Sequence, residues 1–114
     1  RKKQKRRNLW AYLKENDGDL AINEVRTTPN TYLIDCRTRE EYAGGHISGA
    51  INYPIEKITQ ERVLRRFPDK ESYFYIVGNY TQKASVAVKK FKKMGYQNVE
   101  AAGAMEEHHG TLVR

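Results

Sequence analysis

Hydrophobic positions along this chain switch between runs of adjacent residues and a three-to-four spacing, and that alternation sets the expected elements. Tyr32, Leu33 and Ile34 form a β-prone run that stops at Asp35, as a buried strand with polar groups at its carboxyl end would. Thr38-x-x-Glu41 is a capping-box pattern and predicts a short helix that Gly44 and Gly45 end. Residues 50–52 read as a second short strand. Ile55, Ile58, Val63 and Leu64 fit one helical stripe imperfectly, up to Phe67-Pro68, where proline halts it. Residues 73–77 carry the clearest strand signal. A polar loop over residues 78–83 follows, then a periodic helix with Ala84, Ala87, Val88, Phe91 and Met94 on one face. Lys89, Lys90, Lys92 and Lys93 fall toward water, and Gly95 supplies the stop. A last strand is expected at 98–101. Apolar residues at 9, 10, 12 and 13 predict another short helix, ended by Asn16-Asp17-Gly18.

Strands alternating with helices predict an α/β fold, a parallel sheet covered on both faces and joined by right-handed crossovers. In such sheets the binding crevice lies beyond the carboxyl ends of the strands, where residues 35–37 and 78–83 should emerge together. With 114 residues the chain is sized for one domain, which excludes two linked enzyme halves. The expected division is a basic arm with a short helix over residues 1–19 and a folded domain over residues 20–114.

Charge sharpens that division. The formal charge is +7, from 21 Lys and Arg against 14 Asp and Glu, and Arg1, Lys2, Lys3, Lys5, Arg6 and Arg7 supply six of the excess. The remainder is almost neutral, with 15 basic and 14 acidic side chains, which disfavours a wholly basic nucleic-acid-binding fold. Residues 1–7 are expected either to form a solvated arm or to meet an anionic membrane surface, as the cytoplasmic flank of an anchor would. The chain opens on Arg rather than Met, which points to an upstream segment. No apolar run approaches the ~18 residues of a membrane span, so the domain is expected to be soluble. The compartment is left open between the cytoplasm, the cytoplasmic membrane face through an upstream anchor, and the periplasm. One cysteine, Cys36, excludes an internal disulfide framework and a multi-cysteine zinc site. Glu106, Glu107, His108 and His109 have ligand chemistry, but adjacent residues rarely face one ion together, so no metal site is expected.

Leu33-Ile34-Asp35-Cys36-Arg37, Glu41-Tyr42 and Gly45-His46-Ile47-Ser48-Gly49-Ala50-Ile51-Asn52-Tyr53-Pro54 resemble the rhodanese homology domain. The order and spacing match Asp-x-Arg, Glu-Tyr and Gly-His-Ile-x-Gly-Ala-x-Asn-x-Pro of that family. The likeness continues through the strand at 73–77, the helix ending at Lys93-Met94-Gly95-Tyr96, Asn98-Val99 and Gly103, and covers about residues 20–107. It is similar to small single-domain bacterial sulfurtransferases. The resemblance implies a rhodanese-like three-layer sandwich, with about five parallel strands and helices on both faces, and needs no cofactor.

The resemblance also implies a chemistry, and here the chain departs from it. Family members carry a cysteine where the loop begins, which takes sulfane sulfur from a donor such as thiosulfate and holds it as a persulfide. Loop N-H groups and a helix N-terminus lower that thiol's pKa and hold the anionic donor. Counting back from Phe91-x-x-Met94-Gly95-Tyr96 puts Gly78 at the cysteine position and Lys83 where an arginine usually closes the loop. A glycine carries no nucleophile, so the expected function is a degenerate, non-catalytic site that binds or regulates. Gly78, Asn79, Tyr80, Thr81, Gln82 and Lys83 are its candidate anion-binding loop, for a thiosulfate-like anion or a protein partner, with Asp35 and Arg37 as loop supports. The alternative is an active thiosulfate sulfurtransferase that carries the persulfide on Cys36. His46 is expected to be structural, and the lysines at 89, 90, 92 and 93 a solvated face.

Overall fold

The structure is a computed structural model that describes Val25, residues 28–104 and residues 112–114. The basic arm, the expected helix near residue 10 and Glu106 to His109 lie outside the described residues.

Four parallel strands are described: β1 (Thr31–Asp35), β2 (Ile51–Asn52), β3 (Tyr73–Gly78) and β4 (Asn98–Ala104), in the spatial order β2-β1-β3-β4. β1 aligns with β3 from Thr31 opposite Tyr73 to Asp35 opposite Val77, so both strands deliver their carboxyl ends at one level. Three helices connect them, α1 (Arg39–Gly44), α2 (Gln60–Arg66) and α3 (Thr81–Lys93), with a single 3-10 turn at Ile55–Lys57.

Side chains of the central strands alternate between two cores, which is why the sheet needs helices on both sides. On one side Ile34, Phe74 and Ile76 pack with Val63 and Phe67 from the α2 region and with Ala84, Ala87 and Phe91 of α3. On the other, Leu33, Tyr75 and Val77 pack with Ile47, Ala50 and Ala102, and Tyr42 of α1 covers them. Phe74 meets Phe67 edge-on at 5.1 Å between centroids and Tyr96 at 5.4 Å. The Tyr96 hydroxyl is satisfied inside this core by the carbonyl of Phe67.

α1 begins where its sequence says it should. The Thr38 hydroxyl accepts from the Glu41 N-H at 3.1 Å, and Glu41 Oε1 accepts from the Thr38 N-H at 3.0 Å, completing both halves of the capping box. The imperfect stripe from Ile55 to Leu64 resolves into two pieces. Thr59 caps α2 by accepting from the Arg62 N-H, so the 3-10 turn and the helix have separate axes and no common period. β4 runs three residues beyond its expected end, with a register shift opposite Ile76 and Val77. Gly95, at φ +100°, takes the left-handed turn after α3 that a side chain would strain.

Candidate active site at the carboxyl end of the sheet

The chain leaving β1, the end of β3 and the first turn of α3 meet at one corner. Asp35, the last residue of β1, is wholly buried. Arg37 Nε lies 3.0 and 3.2 Å from its two carboxylate oxygens, and Nη2 lies 2.9 Å from Oδ2. Nη2 also donates to the Gly45 carbonyl at 2.7 Å. Asn52 Nδ2 donates to the carbonyls of Asp35 and Arg37, each at 3.0 Å. Carboxylate, guanidinium and amide spend their hydrogen bonds on one another and on backbone, so they brace the turn between β1 and α1.

The expected six-residue loop is shorter in the structure. Gly78 completes β3, Asn79 and Tyr80 form the connection, and Thr81, Gln82 and Lys83 are already the first turn of α3. The N-H groups of Lys83 and Ala84 both turn back to the Tyr80 carbonyl, at 3.1 and 3.3 Å, which pulls the polar run into the helix. Polar composition marked it as loop, yet nothing in these side chains opposes helix. Tyr80 provides no side-chain cap and no acid occupies the first turn, so the amino end of α3 keeps free N-H groups and an uncompensated dipole. The Thr81 side chain lies outside the described residues.

Gly78 is not among the glycines with positive φ, so backbone conformation does not exclude a side chain there. Space nearly does. A Cβ on Gly78 would sit 3.2 Å from Cys36 Sγ, 3.2 Å from Lys83 Cβ and 3.2 Å from the Ala84 nitrogen. Cys36 therefore stands directly beside the position where the resemblance requires the nucleophile. Its N-H donates to the Val77 carbonyl at 2.9 Å, its Sγ faces the Lys83 carbonyl at 3.9 Å, and it is 4% exposed. Burial first, and then the charge of Asp35, push this thiol up to about 12.

That shift has a definite sign in stability. Unfolded, Cys36 ionises near 9.0, whereas folded it holds its proton to about 12, so the native state binds more protons between those values. Its contribution is complete below about pH 9 and is lost as pH rises toward 12. Urea midpoints measured from pH 8 upward should fall more steeply for the wild type than for Cys36→Ala. Parallel curves would show that the thiol has no such shift.

A small cleft of about 200 Å³ opens over this corner, lined by Cys36, Arg37, Thr38, Glu41, Ile55, Glu56, Asn79 and Lys83. It is below the size of sites for drug-like ligands and suits a small ion. A broader groove of about 440 Å³ adjoins it through Thr38 and Glu56 and continues along Arg39, Glu40, Asn52, Pro54 and Lys57. Glu41 has a second task here. Its Oε2 accepts from Asn79 Nδ2 at 2.8 Å, tying the connection after β3 to α1. That bond, and then the Thr38 N-H, hold the Glu41 carboxyl below the usual carboxylate range. Neither this link nor Glu56 follows from the sequence. The capping box accounts for Glu41 by itself, and its spare oxygen leaves no mark in the pattern.

His46 does not line the cleft. Its Nδ1 lies 2.8 Å from the Tyr42 carbonyl, its ring stacks on Tyr42 at 3.6 Å, and its backbone bridges Val113 in antiparallel fashion. The ring is held in place by its stacking on Tyr42 and by the Tyr42 carbonyl.

Comparison with known proteins bears on the family of the chain. The family profile described as the rhodanese-like domain matches residues 11–105. Thiosulfate sulfurtransferase PspE of Escherichia coli strain K12 is 34% identical over 76 residues, covering 67% of this chain and 72% of that protein. Adenylyltransferase and sulfurtransferase uba4 of Ogataea parapolymorpha is 27% identical over 94 residues, 82% of this chain but 24% of its own length. Among solved structures, rhodanese with anions from E. coli superposes with a TM-score of 0.65 at 31% identity, over 73% of this chain and 96% of that one. The Alr3790 protein from Anabaena sp. reaches a TM-score of 0.70 at 24% identity, over 82% and 77%, a likeness of fold. The motif around Asp35, the parallel sheet and these matches converge, and the chain belongs to the rhodanese-like domain family, related to the thiosulfate sulfurtransferases.

Proposed function

We propose that this rhodanese-like domain binds a small anion at the end of β3 and does not transfer sulfur. One observation carries the reading: the chain's single cysteine is buried, with its thiol pushed up to about 12, while the resemblance assigns Gly78 to the position of the family nucleophile. At neutral pH such a thiol is ionised to only about one part in 10⁴ to 10⁵, too little to attack sulfane sulfur at a useful rate. Binding needs no thiolate. Free N-H groups at the start of α3 and the ammonium of Lys83 supply the attraction, and the related E. coli rhodanese was solved with anions. Glu41 and Glu56 on the same cleft limit the charge it tolerates, which favours small anions held by backbone over highly charged ones.

The test separates binding from turnover. Purified protein incubated with thiosulfate and cyanide should form thiocyanate at the uncatalysed rate, and its intact mass should not rise by one sulfur. Thiosulfate titrated calorimetrically should nevertheless bind, about tenfold more weakly in Lys83→Ala. Thiocyanate production that disappears in Cys36→Ser would overturn the reading in favour of a persulfide on Cys36. Absence of thiosulfate binding would overturn it in favour of an inert loop.

A further inference from the structure

The near-neutral body conceals an uneven surface. Among the described residues outside α3, eight basic side chains face eight acidic ones. α3 adds Lys83, Lys89, Lys90, Lys92 and Lys93 and contains no acid, so the whole excess charge of the described domain lies on one helix. Lys90, Lys92 and Lys93 complement the carboxyl end of the helix dipole, which accounts for their position; Lys83 and Lys89 gain nothing from it. None of the five makes an ion pair within 4.0 Å of another described residue.

An apolar contact sits within this charge. Val86 is 45% exposed, and with Gln82, Ser85 and Lys89 it lines a shallow depression of about 550 Å³. Residues 82, 86, 89 and 93 recur at helical spacing, so the depression and its lysines run as one stripe along α3. Tyr80, 51% exposed, stands at the head of the same helix.

We infer that the outer face of α3 docks an acidic protein segment that places a small apolar side chain on Val86 between carboxylates facing Lys89 and Lys93. An apolar centre inside a charged rim is the anatomy of a protein interface. Nucleic acid is the poorer fit, because the stripe uses lysine without arginine and interleaves no aromatic ring to stack a base. A membrane is poorer still, since one valine gives almost no depth of insertion. The inference is independent of what the cleft binds.

A fluorescein-labelled peptide of three glutamates, one leucine and three glutamates tests it by anisotropy, in low and in physiological salt. The full chain should bind saturably. Lys89→Glu/Lys93→Glu should weaken binding about tenfold, and Val86→Ser about threefold. Arg62→Glu/Arg65→Glu on α2 makes the same change in net charge and should stay within about twofold of wild type. Lys89→Gln/Lys93→Gln, with thermal midpoints for every variant, keeps the comparison valid should a reversal disturb folding. Equal weakening by the α2 and α3 reversals would reduce the effect to net charge and overturn the inference. No saturable binding would overturn it as well. So would tighter α3-dependent binding of a single-stranded oligonucleotide or of phosphatidylserine vesicles than of the peptide.

Discussion

Gly78→Cys, purified in air, should show no free thiol and no sulfurtransferase activity, and should gain both on reduction. Across a disulfide, the distance from one Cβ to the opposite sulfur is about 3.0 Å, set by the S-S length of about 2.05 Å and the bond angle at sulfur. A Cβ at position 78 lies 3.2 Å from Cys36 Sγ, so the new thiol arrives beside its partner already near bonding geometry. The bond would bury the nucleophile at the moment it is restored. Gly78→Cys/Cys36→Ala removes the partner and one of the three close contacts, and leaves the new sulfur at the uncapped start of α3 beside Lys83, where a thiolate is favoured. That thiolate attacks the sulfane sulfur of thiosulfate, sulfite leaves with the bonding pair, and cyanide removes the sulfur as thiocyanate, regenerating the thiolate. Thiocyanate formation by the double variant should exceed wild type at least about 100-fold, the scale on which nucleophilic catalysis is lost or gained. If the double variant folds and stays at the wild-type rate, the corner has lost more than its sulfur.

Asp35→Ala should cost about 3–5 kcal/mol of folding stability, measured as a lowered urea midpoint at unchanged slope. The carboxylate is wholly buried and receives three side-chain bonds from Arg37 plus the Arg37 N-H. Removing it leaves a guanidinium one-tenth exposed, with the Gly45 carbonyl as its remaining acceptor among the described residues. Against a total stability of about 5–15 kcal/mol, that loss unfolds a sizeable fraction of the protein. Asp35→Leu/Arg37→Met removes both charges and should recover part of the loss, because the penalty comes mainly from the stranded charge. A cost below about 1 kcal/mol for Asp35→Ala would show that water reaches the pair.

Much of this architecture is legible from residue order. The run at Tyr32 to Asp35, the capping box at Thr38 and Glu41 and the stripe from Ala84 to Met94 each depend on neighbours a few residues away, and the structure forms all three. The extent of the polar stretch after Gly78 was less legible, because Thr81, Gln82 and Lys83 suit a loop and a first helical turn equally and only the turn back to the Tyr80 carbonyl decides. The stripe at Ile55 to Leu64 misled for a related reason: a cap at Thr59 divides what period alone would join. At the candidate site, the resemblance is what assigns Gly78 to the nucleophile position, and that assignment was readable from residue order. The contact between Cys36 and position 78 was not, since it joins two adjacent strands whose residues are far apart in the chain. Likewise, the Asn79 to Glu41 bond spans 38 positions and leaves no spacing to read.

Placing the unbalanced lysines on α3 also has a kinetic consequence. With the other described charges equal in number, the described domain has its excess positive charge displaced to one side, so that at distances beyond the individual side chains it presents a direction as well as a strength. Taken alone, the field of the described residues turns an approaching acidic body toward α3 before contact. Salt shortens the reach of that torque to about a Debye length, near 8 Å at physiological strength, so it should slow arrival far more than it hastens departure. How long a partner then stays is a separate matter, governed by the single apolar contact at Val86 and by how completely its lysine rim excludes water.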